Sequence, residues 1–329
     1  MVKKSLFAGV AVAAFGQIVQ AEPIPDFASI VTPESAYWVL DHSKSCLLAS
    51  EALNPPQDTL LSPDQAVIAT VTATVVQSEL GKIVVDQNAA DDVFYCRWDL
   101  TEADGLYVPA INTAIISTYS TGPMAVAAEE FVHAYQQHTN PYIQSANYLT
   151  RYGLYITTMA NESQAKIWAE KILFDVAPDL RIPENSPAMM ETNRITRECL
   201  EDNNGQLNAG CMKEAFESFI IKDNLYTDLT MFQVGQRFRG TQPQQAEYDV
   251  CGLNFPQYFG YIYDKGEKVQ YLEEGWLPQD ILRADAITGR GEDNKFSQQF
   301  PLALRTFDDL DRKKSSNAVV SKNYPCFEQ

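Results

Sequence analysis

The sequence predicts an α+β protein, mainly helical, with a small sheet. Long segments carry apolar residues at helical spacing, among them 34–53, 123–138 and 143–176. Runs that read plainly as strand are short and fall at about 91–117. Between the two kinds of segment stands Ala128–His138, "AEEFVHAYQQH", which sets acidic residues and a histidine one helical turn apart.

The chain of 329 residues is long enough for one large domain or two modest ones. Lys3 and Lys4 precede an apolar run, Leu6–Phe15, that is too short to cross a bilayer. Val19 and Ala21 then occupy the −3 and −1 positions of a cleavage site, so residues 1–21 read as a secretory signal cut after Ala21. The expected location is secreted or periplasmic. Cleavage would remove two lysines and no acid, leaving the remainder more negative than the −18 of the whole chain. Such a surface argues against nucleic acid as a partner, and no later run is apolar enough for membrane insertion.

Six cysteines in an exported chain favour disulfides. None lies in a C-x-x-C, and six allow 15 pairings. The expected set is Cys46–Cys96, Cys199–Cys211 and Cys251–Cys326. The middle pair closes "CLEDNNGQLNAGC", a loop between two helices.

In chain order, 22–91 forms an N-terminal helical portion that includes a helix over 34–53. Ser62-Pro63-Asp64 signals a helix start, but the β-branched "QAVIATVTATVVQSELGK" leaves helix and strand both open. "DDVFYCRWDL" reads as a strand. Asp104-Gly105 marks a turn, Tyr107 and Val108 end a second strand, and Asn112–Ser117 forms a third. Pro123 opens a helix that Asn140-Pro141 stops. The helical pattern of 143–176 is one helix or two, with Asn161 as a cap of the second. "TNRITRECLED" and "CMKEAFESFIIKD" are further helices. From 239 to 329 the aromatics, glycines and prolines predict a C-terminal extension of irregular structure tied down by the last cysteines. Within it "YFGYIYDKG" (Tyr258–Gly266) reads as core or hairpin, and "DDLDRKK" (Asp308–Lys314) as a solvated helix face.

The chemistry concentrates on the helix after Pro123. Glu129 and His133 are four residues apart and share a face, so both can hold one metal ion. The frame is that of H-E-x-x-H with Glu129 in place of the first histidine. Glu130 keeps the position whose carboxylate takes a proton from metal-activated water. Zinc accepts carboxylate as well as imidazole ligands, and the added negative charge shifts preference toward harder ions such as manganese or iron. A third ligand must come from elsewhere. His138 is turned off the shared face, and His42 carries no motif. The next helix offers Glu162 and, two turns on, Glu170; Glu162 is preferred as nearer the helix start. Three carboxylates around one histidine need a cation, a basic side chain or water. Arg151 is the basic residue considered for that role. Asn161-Glu162-Ser163 is also an N-glycosylation pattern.

The string "DGLYVP…NTAIIS…AAEEFVHAYQ…NESQA" resembles an uncharacterised group of bacterial zincin-like metallopeptidase relatives. These have a turn and edge strand, then a helix with H-E-x-x-H-A-x-Q, then a second helix with a Glu-Ala-Asp-Ala-like element. The resemblance covers about 92–238 and implies a zincin-like core. In it His133, Ala134 and Gln136 keep their places, Glu130 matches the catalytic glutamate and Glu162 the glutamate ligand. Glu129 and Gln164 depart from the pattern. The resemblance further implies that strand Asn112–Ser117, through Asn112, Ile115 and Ser117, holds an extended peptide by main-chain hydrogen bonds. Two functions follow as expectations. One is a zinc-dependent peptidase acting on a peptide or protein substrate. The other is a catalytically inactive, zincin-derived binding or structural protein.

Overall fold

The computed structural model describes residues 44–56, 60–100, 103–140, 151–180, 187–222, 255–274 and 276. The signal segment, His42, the expected Cys251–Cys326 pair and Asp308–Lys314 lie outside them. The described part is α+β and mainly helical, with small sheets. Among the described residues no helix is long and apolar enough to cross a membrane.

The first element corrects an expectation. The predicted helix over 34–53 is, where described, a strand β1 (Cys46–Leu48) followed by one turn of helix α1 (Ala49–Leu53). Local periodicity loses here to pairing: β1 lies antiparallel to β2 (Phe94–Trp98), with Cys46 opposite Cys96 and disulfide-bonded to it. The ambiguous β-branched run is helical, as α2 (Pro63–Val75) and α3 (Glu79–Ala90). Ser62 caps α2: its side chain accepts from the Gln65 amide, whose side chain accepts from the Ser62 amide in return. The run breaks at Ser78, which caps α3 and donates to Asp175 at 2.8 Å. Gly81 lets α3 start hard against the end of α2, where a side chain would strike the Val75 carbonyl.

The main sheet has the order β1-β2-β4-β3, with β3 at Gly105–Val108 and β4 at Thr113–Ser117. β4 is parallel to β2 and antiparallel to β3, so β4 is internal and β3 is an edge. Side chains alternate across the pleat. Tyr95, Tyr107, Ala114 and Ile116 join the main core, and Cys46, Cys96, Val108 and Ile115 form a smaller cluster on the other face.

Helix α4 (Pro123–Thr139) packs on that sheet and is buried at every position from Ala125 to Gln136. Beside it runs α5 (Arg151–Val176), one continuous helix, so Asn161 is an interior residue and not a cap. Helices α6 (Pro187–Asp202) and α7 (Ala209–Lys222) follow, joined at their ends by the Cys199–Cys211 disulfide. After a short helix α8 (Phe255–Tyr258), β5 (Tyr261–Asp264) and β6 (Glu267–Gln270) form a hairpin. Lys265 and Gly266 both take positive φ, 52° and 75°, the geometry of a tight two-residue turn. The hairpin covers α5: Trp168 donates to the Tyr261 carbonyl at 2.7 Å, and Tyr261 and Tyr263 meet its ring edge-on. Tyr258–Gly266 is thus core and hairpin, as its composition suggests.

Asn88 fixes the height of α4 relative to α3 and the sheet. Its buried amide donates to the Phe131 carbonyl and the Tyr95 hydroxyl, each at 2.9 Å. Tyr95 stacks on the Phe131 ring, centroids 3.7 Å apart. We predict that Asn88→Ala lowers unfolding free energy by about 1–3 kcal/mol in chemical denaturation, since two buried groups lose their donor. Tyr95→Phe, which keeps the stack, should cost less.

Candidate metal centre on two antiparallel helices

The site is built by facing turns of α4 and α5. Residues four apart share a helix face, which pairs Glu129 with His133 on α4 and Glu162 with Lys166 on α5. The helices run antiparallel there: the earlier turn of α4 meets the later turn of α5. Lys166 Nζ donates to Glu129 Oε1 in a buried ion pair. His133 Nε2 lies 3.8 Å from Glu129 Oε1 and 3.6 Å from Glu162 Oε2. One turn further, Gln136 Nε2 donates to the Asn161 carbonyl at 3.1 Å.

That last bond decides the histidine's orientation. With its amide nitrogen engaged, Gln136 turns Oε1 to His133 Nδ1, 3.1 Å away. Nδ1 also lies 3.3 Å from Asn161 Nδ2; with the ring hydrogen on Nδ1 it donates to Gln136, the arrangement that directs the other ring nitrogen to a metal. Nε2 is buried and has no hydrogen-bond partner among the described residues; the same holds for Glu130 Oε2. One nitrogen and two carboxylate oxygens, from Glu129, His133 and Glu162, lie within 4.8 Å of one another. This donor set suits zinc, manganese or iron, and the cluster can hold a metal ion.

Charge is crowded in this space. Burial pushes Glu130 up to about 8, and the neighbouring Glu129 and Glu162 carboxylates add to that against the pull of His133. Burial acts against a charged His133 too, but Glu162, Glu129 and Glu130 prevail and hold it well above 6.5. Glu129 would also rise on burial, yet Lys166 and His133 hold it down to about 2. Without a metal, then, the surroundings favour an ionised Glu129 and the proton-bound forms of His133 and Glu130.

Glu129, Glu130, His133 and Glu162 therefore come together. Glu170 does not join them; it pairs with Arg197, which also donates to the Pro178 and Leu180 carbonyls. His138 bonds Asn112 Oδ1 at 2.8 Å and stays outside. The side chain of Arg151 lies outside those described, and the basic partner in the cluster is Lys166. Its signal was in the sequence, since Lys166 follows Glu162 by one turn. Gln164 accepts from the Gly260 amide at 3.1 Å, tying the hairpin strand to α5. Asn161 and Ser163 of the glycosylation pattern are buried, Ser163 donating to the Phe216 carbonyl.

The expected peptide-holding strand is corrected. β4 has hydrogen-bonded neighbours on both sides, so Ile115 and Ser117 cannot receive an added strand, and Asn112 stands just before it. Asn112 adopts φ 49° and accepts from the Tyr107 hydroxyl; Ile115 faces the smaller cluster away from α4; Ser117 donates to the Leu100 carbonyl. The reason is the hairpin: β3 precedes β4 in sequence but folds back on its far side. β3 also lies against Glu130 at Gly105. A Cβ on Gly105 would stand 2.3 Å from Val126 Cγ1 and 2.7 Å from Glu130 Oε1, so glycine lets this edge lie close against α4 and that carboxylate.

No family model matches this chain, and no curated protein or solved structure matches it.

The sign of the pH dependence follows from these groups. Glu130 holds its proton up to about 8 in the folded metal-free protein but loses it near 4.5 unfolded, so it lowers stability as pH rises between the two. The contribution of a raised His133 is complete below 6.5 and is lost as pH climbs through its folded pKa. Glu129 acts oppositely, losing its contribution only as pH falls toward about 2. The melting temperature of metal-stripped protein should therefore fall from about pH 5 to pH 8. Glu130→Gln should flatten that slope.

Proposed function

We propose that this chain is an exported, zincin-like, metal-dependent hydrolase that cuts peptide bonds. The observation that carries the reading is His133 Nε2 facing Glu129 and Glu162 in buried surroundings, its other nitrogen held by Gln136. Glu129, His133 and Glu162 are the ligands. A divalent ion, when bound, supplies Lewis acidity and a water acidic enough to react near neutral pH. Glu130 is the general base: it adjoins the ligand set, feels the charges of Glu129 and Glu162, and has an oxygen without a partner among the described residues. The edge strand β3, which Gly105 brings against Glu130, replaces β4 as the strand that lines up an extended peptide. Two disulfides fit an oxidising, exported setting.

A second reading is favoured by the buried Lys166–Glu129 pair. In it the chain is a zincin-derived binding or structural protein whose lysine replaces the metal's charge.

Metal analysis separates the two. Purified protein should carry or take up about one transition-metal ion per chain, and Glu162→Ala should abolish uptake. Uptake near neutral pH should release protons from His133 and Glu130, whose proton-bound forms the metal-free cluster favours. Glu130→Ala should keep the metal while hydrolysis of an unstructured protein substrate falls roughly 10²–10⁴-fold. Undiminished hydrolysis in that variant would remove Glu130 from its role, and absence of any metal uptake would favour the second reading.

A further inference from the structure

Lys166 has no task in the hydrolytic scheme, yet it is among the most deeply buried lysines described, its side chain only 3% exposed. A lysine in such a place is held by its partner, and that partner is Glu129. The oxygen it contacts, Oε1, is also the Glu129 oxygen from which His133 Nε2 is measured at 3.8 Å. An ion held between Glu129 and His133 on the side where they approach would share this carboxylate with the lysine. Lys166 reaches it because it sits one turn beyond Glu162 on α5, opposite the earlier turn of α4. The ammonium and a divalent ion therefore draw on one carboxylate, in surroundings where two unscreened positive charges repel strongly.

We propose that Lys166 governs which cation the cluster holds: its ammonium competes with the divalent ion for Glu129. The inference rests on reading the cluster as a metal centre, but it concerns affinity and not catalysis. In metal-free protein the lysine is the resident cation and keeps the helix pair together. An incoming divalent ion must loosen the Lys166–Glu129 contact, so binding is weaker than the donor set alone would give. The site then fills only where the ion is abundant, and the fold does not depend on its being filled.

The test is the affinity of Lys166→Met and Lys166→Ala for zinc and for manganese, by calorimetry on otherwise native protein. Both variants should bind at least tenfold more tightly than the parent chain. Their metal-free forms should melt at lower temperature, and metal should raise the melting temperature more than it does in the parent. Propylammonium added to Lys166→Ala should fill the gap, restore metal-free stability and weaken metal binding again. If Lys166→Ala does not fold unaided, folding on addition of either zinc or propylammonium bears the idea out; folding with neither overturns it. Affinity equal to or below that of the parent in the folded variants also overturns it. Metal uptake by the variants but not by the parent would sustain the competition while sinking the hydrolase reading. Parent uptake unaffected by either substitution would do the reverse.

Discussion

A helix buried on all sides normally has an apolar surface all round. Helix α4 is buried along three turns and nevertheless carries Glu129, Glu130, His133 and Gln136. Isolated charge in such surroundings is too costly to persist, so each group must be neutralised, paired or coordinated. Most of what is distinctive here answers that demand. Lys166 and Glu162 come from α5, Gln136 orients the imidazole, and Asn88 and the Tyr95–Phe131 stack hold α4 in place.

The demand also bears on how tightly α4 and α5 are registered. The contacts Glu129–Lys166, His133–Glu162 and Gln136–Asn161 follow the two helices step by step. Sliding one helix by a turn would break them all and leave buried charge unpaired, a far larger penalty than misplacing apolar side chains. Polar contacts thus specify the alignment, while Trp168 and the β5–β6 hairpin close the outer side of α5.

Much of this was legible in the residues. The one-turn spacing of Glu129 and His133 is a property of any helix, and the start at Pro123 and stop after Thr139 follow from backbone chemistry. Glu162 could be preferred to Glu170, and the Cys46–Cys96 and Cys199–Cys211 pairs were anticipated. What escaped depends on tertiary contact. The periodicity of 34–53 hid β1, because three residues, the first a cysteine, are drawn into a sheet by a partner fifty residues away. Nothing local says that β3 folds outside β4, so the residues alone do not reveal which strand is the edge. Lys166 shares a helix face with Glu162, but only the packing of α5 on α4 brings it to Glu129.

The buried Asn161-Glu162-Ser163 triplet has a practical bearing on manufacture. Oligosaccharide is attached while a nascent polypeptide is still unfolded, when this asparagine is as accessible as any other. Once joined, a sugar tree could not fit at a position only 2% exposed and pressed against the imidazole. A yeast or insect-cell host would therefore divert some of the product into misfolded, retained material, whereas a bacterial host lacking that modification would not.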